Sequence, residues 1–125
     1  MLHAGHPSNH VIAVDLPDFD SRVMEESGKR PVLVDFWADW CAPCHALAPH
    51  LQRVVEELEG AVLLAKVEVD EGDNMKLAGH YRVRGFPTVI LFREGEEHGR
   101  FSGSRSSHWL REWVIEHLGS RNARP

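Results

Sequence analysis

The run Val32-Leu33-Val34-Asp35-Phe36-Trp37 is too continuously apolar to have a solvent face. It predicts a strand buried on both sides, as in parallel sheets whose crossovers are helices. Trp40-Cys41-Ala42-Pro43-Cys44 follows almost at once, and then Leu47, Leu51, Val54, Val55 and Leu58 recur at helical spacing. Strand and helix are thus joined through the only two cysteines of the chain, three residues apart. Two thiols at that spacing can close a disulfide across one helical turn. Pro43 suits a first helical turn, where its missing N–H is no loss, and Pro49 predicts a kink further on.

The rest of the chain fits around this unit. Residues 1–10 are polar and hold three histidines, which predicts a flexible segment. Residues 11–14 form a short strand candidate. Pro17-Asp18 opens a helix through Phe19, Val23 and Met24 that ends near Gly28. Residues 62–69 are a second buried strand, 74–81 a short helix, and 88–92 a third long strand. Glu94-Gly95-Glu96 is a hairpin turn, after which 98–102 pairs back. Ser106 caps a last helix that turns Trp109, Leu110, Trp113, Val114 and Leu118 to the core and stops at Gly119. A flexible tail, 120–125, follows. The order β-α-β-α-β-α-β-β-α predicts an α/β domain over residues 11–119, with a mixed sheet and helices on both faces.

Composition narrows the function. The chain has 125 residues, enough for one domain with a real core and no disulfide staples. Its net charge of −5 gives a nucleic-acid partner no electrostatic support. The longest apolar runs are far shorter than a membrane span. The first residues carry no apolar signal-like stretch, so a reducing cytoplasm is expected, although a fragment or a processed chain would read the same way. The nine histidines read as mostly solvated. Met1-Leu2-His3, a free amine with His third, could wrap square-planar Cu(II), but a histidine-bearing tail is common by chance.

The thiolate, not the thiol, is the nucleophile. Cys41 would lie at the N-terminus of its helix, where the dipole and free N–H groups favour an anion. Cys44 lies one turn inside and should be less exposed. Cys41 is therefore expected to attack a substrate disulfide and Cys44 to resolve the mixed disulfide. A structural zinc site would need two more ligands, and the nearest candidates, His45 and His50, project from a helix that must bury its leucine face. Asp35, inside the apolar run, is expected to be buried with a raised pKa and to accept a proton from Cys44. Lys66, within Leu63-Leu64-Ala65-Lys66-Val67, is its expected charge partner. Pro87 precedes a central strand, so it marks a bend or a special peptide bond; base rates alone would prefer an ordinary trans proline.

With these residues in hand, the chain resembles the thioredoxin family. Residues 34–44 resemble its active-site stretch, Ala48-Pro49 its kinked helix, 64–70 its third strand and 81–88 its cis-proline loop. The likeness spans about residues 11–118, with the motifs in order. It implies the thioredoxin fold, a five-stranded mixed sheet flanked by four helices, with Pro87 cis. It also implies Cys41 attacking, Cys44 resolving, Asp35 assisting proton transfer and Lys66 beside it. A groove of Trp40, Ala42, Pro43, Gly85, Phe86, Pro87 and Gly103 would bind disulfide-containing substrate proteins. No cofactor is expected to be bound. Electrons would come from NADPH through thioredoxin reductase, and a monomer is expected. Two departures stand out: Ala42 where Gly is common, and His45 where Lys is common. Because His titrates near neutrality, His45 is expected to make the charge of the site pH-sensitive.

The leading expectation is a protein-disulfide reductase. The alternative is a thioredoxin-like holdase or scaffold domain that binds unfolded or partner proteins, since the cysteine site also resembles the N-terminal domain of thioredoxin-like co-chaperones. An oxidase or isomerase of an oxidising compartment is a third reading, set back by the missing signal.

Overall fold

The computed structural model describes residues 9–122, so Met1-Leu2-His3 and residues 123–125 lie outside it, as does most of the segment expected to be flexible. Strands run over Val11–Ala13 (β1), Val32–Trp37 (β2), Leu63–Glu68 (β3), Thr88–Arg93 (β4) and Glu96–Ser102 (β5). Helices run over Ala42–Glu57 (α1), Asn74–His80 (α2) and Ser107–Asn122 (α3). The strands form one sheet in the order β1-β3-β2-β4-β5. β3 is parallel to both β1 and β2, while β4 is antiparallel to β2 and β5. This is the mixed sheet that strand–helix alternation followed by a hairpin predicts.

The fourth helical element, residues 16–28, is helical but not α-helical. It passes from a 3₁₀ turn at Leu16–Asp18 through a π turn at Asp20–Met24 to another 3₁₀ turn at Glu26–Gly28. The wide turn is visible in the Glu25 N–H, which donates to Asp20 O five residues back at 2.9 Å. The end at Gly28 matches the sequence expectation; the bond pattern does not follow from hydrophobic spacing.

Side-chain alternation along β2 divides the core. Val32, Val34 and Phe36 face one side, with Phe19 and Val23 of the irregular segment and Leu77 and Ala78 of α2. Leu33 faces the other side, against Leu47, Leu51, Val54 and Val55 of α1 and Leu110 and Val114 of α3. Asp35 shares the parity of Leu33, so its carboxylate belongs to the α1–α3 side. The sequence thus places a charge under α1.

The start of β5 and the end of α3 differ from expectation. β5 begins at Glu96 rather than His98, directly after the Glu94-Gly95 turn. α3 continues to Asn122 instead of stopping at Gly119. A glycine lowers helix propensity by about 1 kcal/mol without itself forcing a stop. α1 is continuous through Pro49. Ser106 does cap α3, its Oγ accepting the Trp109 N–H at 3.1 Å.

Candidate active site

The site sits at the C-terminal end of β2, where the chain turns through residues 38–41 into α1. Cys41 is the N-cap of α1, with φ −97° and ψ 105°, and Pro43 occupies the first turn. Cys41 and Cys44 are joined as a disulfide, with Cα atoms 5.3 Å apart. The Cys44 N–H points at Cys41 Sγ, 3.2 Å away. An N-terminal amide that donates to the sulfur favours its anionic form once the disulfide opens. Both cysteines are buried, at 5% and 3% exposure, so burial separates them far less than expected. What distinguishes them is position: Cys41 caps the helix and Cys44 lies inside it.

A second backbone segment meets Cys41 from the opposite side. The Phe86–Pro87 peptide bond is cis, as the family resemblance implied. The Phe86 carbonyl oxygen lies 3.5 Å from Cys41 Sγ. Thr88 anchors the loop, its Oγ1 donating to Gly85 O at 2.6 Å. The Gly103 N–H donates to Pro87 O at 2.9 Å. Gly103 holds φ at +89°, a conformation that L side chains rarely adopt, which is the local reason for a glycine there. On the other rim, Trp40 is 66% exposed and meets Phe86 edge-to-face at 6.0 Å. Ala42, Pro43 and Gly85 are exposed as well. Pro87 itself is buried and Phe86 half-buried.

Within β2, Asp35 is 1% exposed, and its Oδ1 has no hydrogen-bond partner. Burial pushes its pKa up to about 6, against the opposing pull of Lys66. Lys66 pairs with Asp35 in the β2–β3 register. It is half-buried rather than buried, and its ammonium stands 5.0 Å over the Trp37 ring. No ion pair within 4 Å joins it to Asp35. Lys66 instead lines an open cavity of about 450 Å³ with Asp15, Trp37, Glu68 and Glu71.

The two histidines considered as zinc ligands turn elsewhere. A ring nitrogen of His45 lies 2.7 Å from the Asp39 carbonyl oxygen, and His50 Nδ1 is 2.7 Å from Ser107 Oγ. Among the described residues, no group of three potential ligands could hold a metal ion.

Sequence reasoning missed two residues that build the site's outer rim. Asp70 Oδ2 accepts the Trp40 indole N–H at 2.7 Å and fixes the ring's orientation. Asn74, fully buried, accepts from Leu16 N at 2.8 Å and donates to Asp15 Oδ1 and Glu68 O at 2.8 and 2.9 Å. It ties the start of α2 to the end of β3, on either side of Asp70. An uncharged amide in a short helix gives no sequence signal of this.

The family model described as Thioredoxin matches residues 10–116. The chain belongs to the thioredoxin family. Its relatives include a thioredoxin of Rickettsia bellii, 40% identical over 100 residues, covering 80% of this chain and 91% of that one. The probable thioredoxin-2 of Caenorhabditis elegans is 36% identical over 120 residues, covering 96% and 80%. The mitochondrial thioredoxin of Bos taurus is 38% identical over 105 residues, covering 84% and 61%. Thioredoxin-family membership and the bonded Cys41–Cys44 pair together make this a C-x-x-C thiol–disulfide oxidoreductase, acting as a protein-disulfide reductase. The holdase alternative is not favoured. No helix among the described residues is long and apolar enough to cross a membrane.

Proposed function

We propose that the dithiol form reduces disulfides of other proteins with Cys41 as the attacking group. The observation that carries this reading is the setting of Cys41 Sγ, capped by the Cys44 N–H on one side and facing the Phe86 carbonyl on the other. The thiolate of Cys41 attacks one sulfur of the substrate disulfide, and the other sulfur leaves as a thiolate. Cys44 then loses its proton and attacks Cys41 Sγ, which closes the protein's disulfide and releases the second substrate thiolate. Two electrons pass from protein to substrate. Asp35 is the proton acceptor for Cys44, reached directly or through one water. Lys66 is its charge partner at ladder distance rather than in contact.

The substrate chain lies in the groove of Trp40, Ala42, Pro43, Gly85, Phe86, Pro87 and Gly103. Thioredoxin reductase, drawing on NADPH, returns the disulfide to the dithiol, and this places the chain in electron transport and cell redox homeostasis. A cytoplasmic location fits a resting dithiol; the bovine relative is named as mitochondrial, another compartment that the same chemistry suits. The chain acts as a monomer.

Insulin reduction in the presence of thioredoxin reductase and NADPH tests the reading. Turnover that disappears in Cys41→Ser is the expected result. Suppression of aggregation without turnover would instead support a holdase.

A further inference from the structure

Beyond Gly103 the groove meets Arg105, which has no acidic partner among the described residues. Arg105 Nη1 comes within 3.2 Å of the point where a Cβ on Gly103 would stand. The guanidinium therefore lies against the backbone that bonds Pro87. It is held there from below. Its centre is 4.9 Å from the Trp109 ring and 5.6 Å from the Phe101 ring, and Nη1 donates to Ser104 O at 3.0 Å. The rings are themselves fixed: Phe101 is buried and meets Trp109 edge-on at 5.0 Å, and Trp109 stacks on Trp113. Among the described residues, no carboxylate lies within 4 Å of Arg105, whereas Arg22, Arg30, Lys76, Arg100 and Arg111 each have one.

Stacking a guanidinium on aromatic faces leaves its in-plane N–H donors available. A side chain already ordered by packing also loses less freedom when it binds. The opposite rim carries the other sign, with Asp70 under Trp40 and Asp39 beside His45. A guest in the groove would thus meet a free cation on the Gly103 side and carboxylates on the Trp40 side.

We propose that Arg105 is a specificity-determining residue that recognises an acidic side chain near the disulfide of the substrate polypeptide. This rests on the reductase reading and its groove, and adds a preferred class of substrate to it.

The test uses the prereduced protein in single turnover with disulfide peptides. Each peptide carries either Glu or Gln at one position, from one to four residues on either side of the attacked cysteine. At one position or more, the Glu peptide should react about three- to fivefold faster, the size of a well-held exposed charge pair. The preference should shrink at high salt, where exposed charges are screened. Arg105→Gln should bring the ratio to about one, and Arg105→Glu should invert it. Equal rates at every position in the native protein would overturn the proposal, as would a preference that survives in Arg105→Gln. If neither Glu nor Gln peptides are reduced, the reductase reading itself fails and this proposal falls with it.

Discussion

Lys66 stands directly across the β2–β3 ladder from Asp35, yet its ammonium rests over the Trp37 ring instead of against the carboxylate. The separation leaves Asp35 buried with one oxygen unbonded, and burial outweighs the attraction of the nearby cation. The consequence is a carboxyl group that changes protonation near pH 6, close to the range in which thiols must lose protons.

Asp35 should make stability fall as pH rises. Its folded pKa, about 6, lies above the ordinary value of 3.8, so the folded state holds the proton more tightly. The contribution is therefore fully present below pH 4 and is lost as pH rises through 6. Asp35→Asn removes the ionisation. The oxidised variant should gain on the parent between pH 4 and 7, by about 3 kcal/mol in all. Urea unfolding of both proteins at pH 4 and pH 8 measures this. A stability difference that does not change with pH would contradict it.

Gly103→Ala should be harmful where Gly79→Ala is not. At Gly103 a Cβ meets a φ of +89° and Arg105 at 3.2 Å, a cost of about 1–2 kcal/mol. At Gly79, inside α2, nothing lies within 4 Å, and alanine should stabilise by up to about 1 kcal/mol. Thermal melts of the two variants should move in opposite directions. Gly103→Ala should also slow insulin reduction, because the Gly103–Pro87 contact belongs to the groove.

Leu110→Ala tests the α1–α3 layer that covers Asp35. Leu110 has no exposed surface and packs in the cluster of Leu33, Leu47 and Leu51. Truncation should cost about 2–5 kcal/mol, read by urea unfolding. A loss under 1 kcal/mol would mean that this layer is looser than the packing implies.

The parts of the fold that were legible in the sequence are those set by local pattern. The unbroken apolar run gave β2, the leucine spacing gave α1, and the C-x-x-C between them gave the redox pair with its helix-capping cysteine. Asp35 was legible because a carboxylate in such a run has to be buried. The mixture of 3₁₀ and π turns over residues 16–28 was not, because the same apolar spacing serves any helical turn. Lys66 was expected as the charge partner of Asp35, but nothing in spacing reveals that its ammonium stands over the Trp37 ring. Asp70, Asn74 and Arg105 were invisible for a related reason. The first two find partners 30 and 58 residues away, and Arg105 depends on two rings brought together only by the packing of α3 on β5.

Trapping of the mixed disulfide tests the order of the two cysteines most directly. Cys44→Ser, mixed with a disulfide-bonded substrate protein, should accumulate a covalent adduct through Cys41 that is visible on non-reducing gels and by peptide mass. Cys41→Ser should accumulate none on the same timescale. An adduct that forms equally fast through Cys44 in the Cys41→Ser protein would contradict the assignment of Cys41 as the leading thiol.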